Sequence, residues 1–236
     1  MRRSRFDFGR VAHSYDDWYG TPLGRTYDVL EKRAVERALA GPVGADRLLE
    51  VGCGTGHWSA FFSAHGFTVT GVDIAPEMIA VARAKKIANA AFQVADAHSL
   101  PFSDEEFDVT AAITTLEFVR DAQAVLREIA RCTRGSGGFI LAGVLNALAA
   151  INVRRKAAGD APYSDARFFS PREVKDLLEP YGKPYIAVAA FVPSVGGALP
   201  LAPFTDFVGR LLRSQRGAFI VGRVRPGTDR VTEGIR

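Results

Sequence analysis

Apolar positions along this chain switch between two periods, and the switching predicts an architecture. From Gly24 to Ala40 they recur every three or four residues, as on one face of an amphipathic helix, and Gly41-Pro42 ends the pattern. Arg47 to Val51 is a short apolar run ahead of glycines and reads as a buried strand. A helix over His57 to His65, closed by Gly66, is followed by a strand over Phe67 to Val72. Pro76 suits the first turn of a helix running to about Ile87. Strands are predicted at Ala91 to Ala95 and Phe107 to Ile113, then a helix from an Asp121 cap to about Cys132. Gly135 to Gly138 turns the chain into a fifth strand, Phe139 to Val144.

After Val144 the rhythm changes. Leu145 to Gly159 reads as helical, and Asp160 to Phe169 as a loop rich in aromatic and charged residues. Ser170-Pro171-Arg172-Glu173 has the form of an N-cap, a first-turn proline and an N3 acid, which predicts a helix to Glu179. Tyr185 to Val192 and Ala218 to Val224 read as strands, separated by a Gly- and Pro-bearing insertion, Pro193 to Gly217. Strands that alternate with helices imply right-handed crossovers. The expected class is therefore α/β, with a doubly wound, mostly parallel sheet and an antiparallel C-terminal strand. No fixed-period repeat or linker divides the chain, so one domain is expected over 1–236.

Composition narrows the setting. The chain has 236 residues, 47% of them hydrophobic and 24% charged, enough for a large core without staples. Its two cysteines, Cys53 and Cys132, are too few for a disulfide framework or a cysteine-built zinc site. No apolar run follows the Arg-rich start, and the apolar stretch Leu141 to Val153 is short and broken by Asn146 and Asn152, so neither a signal peptide nor a membrane span is expected. The expected location is cytoplasmic. The net charge of +4 is concentrated at the ends: residues 11–207 hold 19 basic against 23 acidic residues, while 208–236 hold seven arginines against Asp229 and Glu233. A basic end of this kind is either a solvated terminus or an attractor of nucleic acid or anionic lipid.

The chemistry is concentrated in Leu48-Leu49-Glu50-Val51-Gly52-Cys53-Gly54-Thr55-Gly56, a strand that runs into three glycines at alternate positions before a helix. In open α/β sheets ligands bind at the carboxyl ends of strands, and glycine lets the backbone approach them with positive φ. Such a loop alone is also a plain strand-to-helix turn. Two acids add to it. Asp73 follows the second strand, where a carboxylate is placed for ribose hydroxyls, and Asp96 follows the third, where it suits an adenine amine. The series suits an adenosyl ligand without a pyrophosphate.

Glu50 to Gly56, Val72-Asp73, Ala95-Asp96-Ala97 and Phe107-Asp108-Val109 together resemble the class I S-adenosylmethionine-dependent methyltransferases, in particular the small-molecule and quinone-type subgroup, over about residues 10 to 180. The resemblance implies a Rossmann-like methyltransferase fold and S-adenosyl-L-methionine as cofactor. It implies that Gly52, Cys53 and Gly54 line the methionine part, that Asp73 holds the ribose, and that Ile74 and Met78 pack on the adenine. Asp96 and Ala97 would read the adenine edge, Thr114 would lie near the methyl donor, and Glu50 would organise the loop. Tyr15-Asp16-Asp17-Trp18-Tyr19 resembles the family's arm over the cofactor, with Tyr19 against it. Residues 1–40 are then a lid, 41–145 the cofactor-binding core, 146–217 the substrate-side helices and insertion, and 218–236 the last strand and basic tail.

Methyl transfer from a sulfonium needs alignment and exclusion of water more than a catalytic side chain. If the acceptor needs a base, Glu117 in Thr114-Thr115-Leu116-Glu117-Phe118 is the candidate, with a capping acid as the plainer reading. Tyr15, Trp18, Arg167 and Phe168 are candidates for the acceptor wall, and for each the alternative is simple packing or a surface ion pair. The expected acceptor is a small molecule, with homodimerisation left open. The segment lacks the Asp/Asn-Pro-Pro-aromatic motif of amino-type nucleic-acid methyltransferases and the Pro-Cys of cytosine C5 enzymes, and two cysteines are too few for an arsenic methyltransferase. His57 and His98 have no metal-ligand spacing, so no metal is expected. Three rivals remain: a dinucleotide-binding oxidoreductase, whose third glycine would come one residue later, a non-catalytic S-adenosylmethionine-binding protein, and an RNA methyltransferase.

Overall fold

The computed structural model describes residues 4–39, 47–159, 161–193 and 196–226. An N-terminal arm carries a 3-10 turn (Phe8–Val11) and a short helix α1 (Asp17–Gly20), and leads into α2 (Pro22–Leu39). Then β1 (Arg47–Val51), α3 (His57–Ala64), β2 (Thr68–Asp73), α4 (Pro76–Ala84), β3 (Ala90–Val94), β4 (Val109–Ile113), α5 (Ala122–Cys132) and β5 (Phe139–Leu145) alternate along the chain. The last third adds α6 (Ala150–Ala158), α7 (Pro171–Leu178), β6 (Tyr185–Ala189), α8 (Ala202–Leu211) and β7 (Phe219–Val224). The expected stop at Gly41-Pro42 and the end of the basic tail lie outside the described residues.

The strands form one sheet in the order β3-β2-β1-β4-β5-β7-β6. Pairings from β3 across to β5 are parallel, and β7 runs antiparallel to both β5 and β6. This is the expected doubly wound sheet with an antiparallel C-terminal strand. Its order reverses at β1, between β2 and β4, and the carboxyl ends of these strands frame a crevice at that switch point. One face packs Leu30, Val35, Trp58 and Phe62 from α2 and α3 against the sheet, and the other packs Val125, Leu126, Ile129 and Leu178 from α5 and α7. Every residue of β5 is buried, because helices cover both faces of the sheet there.

Three departures from the pattern shape the last third of the chain. The predicted helix from Leu145 starts only at Ala150, since Leu145 still pairs with Phe219 and the buried Asn146 is a junction. The Asn146 amide donates to the carbonyls of Gln215 and Gly217, and Asn152 donates to those of Asn146 and Ala218. The predicted strand to Val192 stops at Ala189, because Ala190 takes a left-handed φ of 61°. Finally, the 193–217 insertion contains helix α8. Asp206 anchors it, accepting from the N–H groups of Ala190 (2.8 Å) and Phe191 (3.3 Å) and pairing with Arg210 (2.8 Å).

Candidate active site

The glycine loop is built around three left-handed residues. Gly52, Gly54 and Gly56 have φ of 73°, 52° and 79°, a region that other residues reach at a steric cost, which is why glycine recurs at alternate positions. Gly52 is also hemmed in: a Cβ there would lie 2.3 Å from the Thr115 side chain. A Cβ on Gly54 would meet only the Met78 sulfur, at 4.0 Å, and otherwise enter open space. The Gly52 and Cys53 N–H groups both donate to the Val72 carbonyl (2.8 and 2.9 Å), so the loop is fastened to the end of β2.

Asp73 ends β2 beside this loop. Its Oδ2 accepts from the Gly54 N–H (3.0 Å) and its Oδ1 from the Ala75 N–H (2.9 Å). Burial pushes its carboxyl above the usual range, and the backbone N–H groups oppose that rise. At the end of β3, Asp96 Oδ1 accepts from the His98 N–H (3.0 Å) and lies 2.9 Å from His98 Nδ1. Beyond β4, Thr114 has a φ of 49°, a strained conformation for a β-branched residue, held by its N–H donating to the Gly143 carbonyl (2.7 Å).

These residues line one cavity at the carboxyl edge of the sheet. Of the residues singled out in the sequence, Tyr15, Tyr19, Gly52, Cys53, Gly54, Asp73, Ile74, Met78, Asp96, Ala97 and Thr114 line it. Ile74 is exposed on this wall, whereas Met78 is buried. The arm closes the cavity from the N-terminal side. The Thr55 hydroxyl donates to Asp16 (2.7 Å), Lys85 pairs with Asp16 (2.5 Å), and the Tyr19 ring stacks on His57 with centroids 3.6 Å apart. His57 Nε2 in turn lies 2.7 Å from Asp28 Oδ1. Phe8 and Phe118 meet edge to face at 4.9 Å and complete an aromatic wall with Tyr15.

Five expected residues are not on that wall. Glu117 is fully buried: its Oε1 accepts from the Leu145 N–H (2.6 Å), and its Oε2 has no hydrogen-bond partner among the described residues. Burial raises its carboxyl to about 8, and the side chain faces the core rather than the cavity. Glu50 is buried beneath the loop, where it accepts from the Ser59 hydroxyl of α3, and burial likewise raises it to about 8. Trp18 packs on the helix side of the core with the Arg155 guanidinium 4.8 Å from its ring. Arg167 is exposed and pairs with Glu173 at 3.5 Å. Phe168 is buried among Phe118, Leu145 and Ala166. Conversely, Phe8 of the aromatic arm lines the cavity too, and His57, Trp58, His98, Thr115 and Phe118 line it although the pattern did not mark them as site residues. For His57 and Trp58 the available signal was their place directly after the glycine loop.

A methyltransferase-domain family profile matches residues 49–141, the segment from β1 to β5 that carries the glycine loop and both acids. The matched segment is a methyltransferase domain, of the kind that the glycine loop and the two acids resemble. The chain is 30% identical over 176 residues to a malonyl-acyl-carrier-protein O-methyltransferase of Hamiltonella defensa subsp. Acyrthosiphon pisum, a match covering 74% of this chain and 64% of that protein. It is 35% identical over 138 residues to the uncharacterized methyltransferase YcgJ of Bacillus subtilis, covering 57% of this chain and 52% of that one. These matches thus span less than two thirds of the relatives' own length. A solved structure of a methyltransferase from Thermotoga maritima, named a possible histamine N-methyltransferase, superposes with a TM-score of 0.71 at 24% identity, over 92% of this chain and 96% of that one. It is a match of fold. The family's cofactor is S-adenosyl-L-methionine, and the cavity fits it: one wall is open above Gly54, and the acid on that wall keeps lone pairs beyond the two N–H groups it accepts.

Proposed function

We propose that this methyltransferase transfers a methyl group from S-adenosyl-L-methionine to a small-molecule acceptor. The observation that carries the reading is the meeting, in one cavity, of a left-handed glycine loop, an acid after β2, an acid after β3 and a closing aromatic arm. On this reading Gly52, Cys53 and Gly54 hold the methionine part and Asp73 the ribose. Ile74 and Met78 pack on the adenine, with Asp96 and Ala97 reading its edge. Thr114 and Tyr19 stand near the donor, and Glu50 positions the loop from below through Ser59.

Bound S-adenosyl-L-methionine supplies an electrophilic methyl group on a sulfonium. The protein's part is orientation and exclusion of water. Phe8, Tyr15 and Phe118 form a largely apolar wall for the acceptor. Burial pushes the Tyr15 and Tyr19 hydroxyls above their usual range, so both stay neutral hydrogen-bond donors and neither serves as a base. A small acceptor agrees with the malonyl-carrier methyltransferases among the relatives. The whole described chain is read as one domain, with its arm as the lid. The dinucleotide alternative is disfavoured by the glycine spacing, since the third glycine, Gly56, comes one residue earlier than in a dinucleotide loop.

Isothermal titration of the protein with S-adenosylhomocysteine and with NAD tests this. Binding of the first alone is expected, and Asp73→Ala should weaken it by about 1.5–3 kcal/mol, through loss of charge-assisted hydrogen bonds. NAD binding without S-adenosylhomocysteine binding would overturn the proposal.

A further inference from the structure

Helix α8 has its apolar side outward. Its inward face is taken up by Ala202 and Asp206, both buried, by Thr205, whose hydroxyl donates to the Phe191 carbonyl (2.6 Å), and by Gly209, which has no room for a Cβ against the Phe191 ring. The other face presents Phe204, Phe207 and Leu211, flanked by Leu201 and Leu212, and all five are 55–73% exposed. A run of five large apolar side chains on one short element is far from the scattered exposure normal for a monomer surface and marks an interaction site. Beside it, Thr205 of α8 lines an open groove between α2, α6 and the insertion, on whose wall Leu148 and Val153 are also exposed.

The free charge of residues 193–226, which carry this patch, has one sign. Between 193 and 226 the only acid is Asp206, and it is buried and bound to Arg210. Arg213 and Arg216 are exposed just beyond the helix, and Arg154 joins Arg216 at the groove. Arg37 of α2 lies within electrostatic reach of Arg210. In a symmetric pairing of two copies the same patch meets itself, so these arginines would face one another with no free carboxylate of the patch between them. An anionic bilayer meets both halves of the pattern: phenylalanine and leucine enter the acyl boundary while arginines remain among the headgroups. Among the described residues no helix is long and apolar enough to cross a membrane, so α8 would lie in the plane of the surface.

We propose that α8 and its flanking arginines dock this protein onto an anionic membrane surface. Flotation of the full chain with vesicles tests it, using phosphatidylcholine alone and an equimolar mixture with phosphatidylglycerol. Binding is expected to the mixed vesicles, to fall as salt is raised, and to drop at least tenfold in the triple variant F204S/F207S/L211S and in R213E/R216E. Both variants should keep the wild-type circular dichroism and unfolding temperature, since the replaced side chains are exposed. Failure of the wild type to bind mixed vesicles would overturn the proposal. So would a wild-type dimer in light scattering that the triple variant converts to monomer, because the patch would then be a self-interface.

Discussion

At the scale of single residues, Gly52 and Gly54 look alike in the sequence but carry different constraints. Both have positive φ, yet only Gly52 is pressed against Thr115. Gly52→Ala should therefore cost more folding stability, about 2–3 kcal/mol, whereas Gly54→Ala should cost about 1 kcal/mol for its positive φ and also weaken S-adenosylhomocysteine binding, as its methyl group enters the cavity. Thermal unfolding and calorimetric titration of the two variants separate these outcomes. Glu117 carries a different lesson. Its position after β4 suggested a base, but the Leu145 N–H, far along the chain, claims one oxygen and the core encloses the other. Glu50 and Glu117 are raised from 4.5 to about 8 by burial, so between those values the folded protein holds more protons than the unfolded chain. Stability accordingly falls as pH rises through that window and levels off above it. Glu117→Gln should flatten this fall while leaving methyl transfer within a few-fold of wild type. A loss of transfer of a hundredfold with an intact fold would restore Glu117 as a base.

At the scale of elements, the arm shows what a pattern can and cannot specify. Its aromatic cluster was plain in the sequence, as was the arm's likeness to a lid. Which rings face inward was not, because α1 is a single turn whose orientation is set by contacts with α2, α3 and the 145–169 segment. Tyr15 and Tyr19 turn to the cavity, while Trp18 turns to Arg155. Asp16 ties this arrangement to the glycine loop through Thr55 and to the end of α4 through Lys85. Asp16→Ala should loosen the arm and raise the dissociation constant for S-adenosylhomocysteine about fivefold, the worth of roughly one hydrogen bond. Unchanged affinity, together with unchanged protease sensitivity of the arm, would show that the tether does not matter. The capping box of α7 was legible because it is local: Ser170 accepts from the Glu173 N–H, and Glu173 accepts from the Ser170 N–H, as their spacing predicts. The end of β6 and the start of α6 were not legible, since Asp206 and Asn146 act across the insertion.

At the scale of the whole molecule, the site lies between the sheet's carboxyl edge and the N-terminal arm, so a ligand there joins parts that unfolding would separate. S-adenosylhomocysteine at about a hundred times its dissociation constant should add about 2.7 kcal/mol and raise the unfolding temperature by roughly 5–10 °C, with no shift from NAD. Differential scanning fluorimetry reads both. The sequence by itself determined the alternation of strands and helices, the glycine loop and the two acids that follow it. These are consequences of periodicity, positive φ and position at a strand end, and each is written in adjacent residues. Only the tertiary structure decided that β7 inserts between β5 and β6, that Glu117 is a buried partner of β5, and that α8 turns its phenylalanines to solvent. Each of those depends on which distant backbone group or apolar surface a residue meets, and that is set by the closing of the sheet and the packing of the insertion against it.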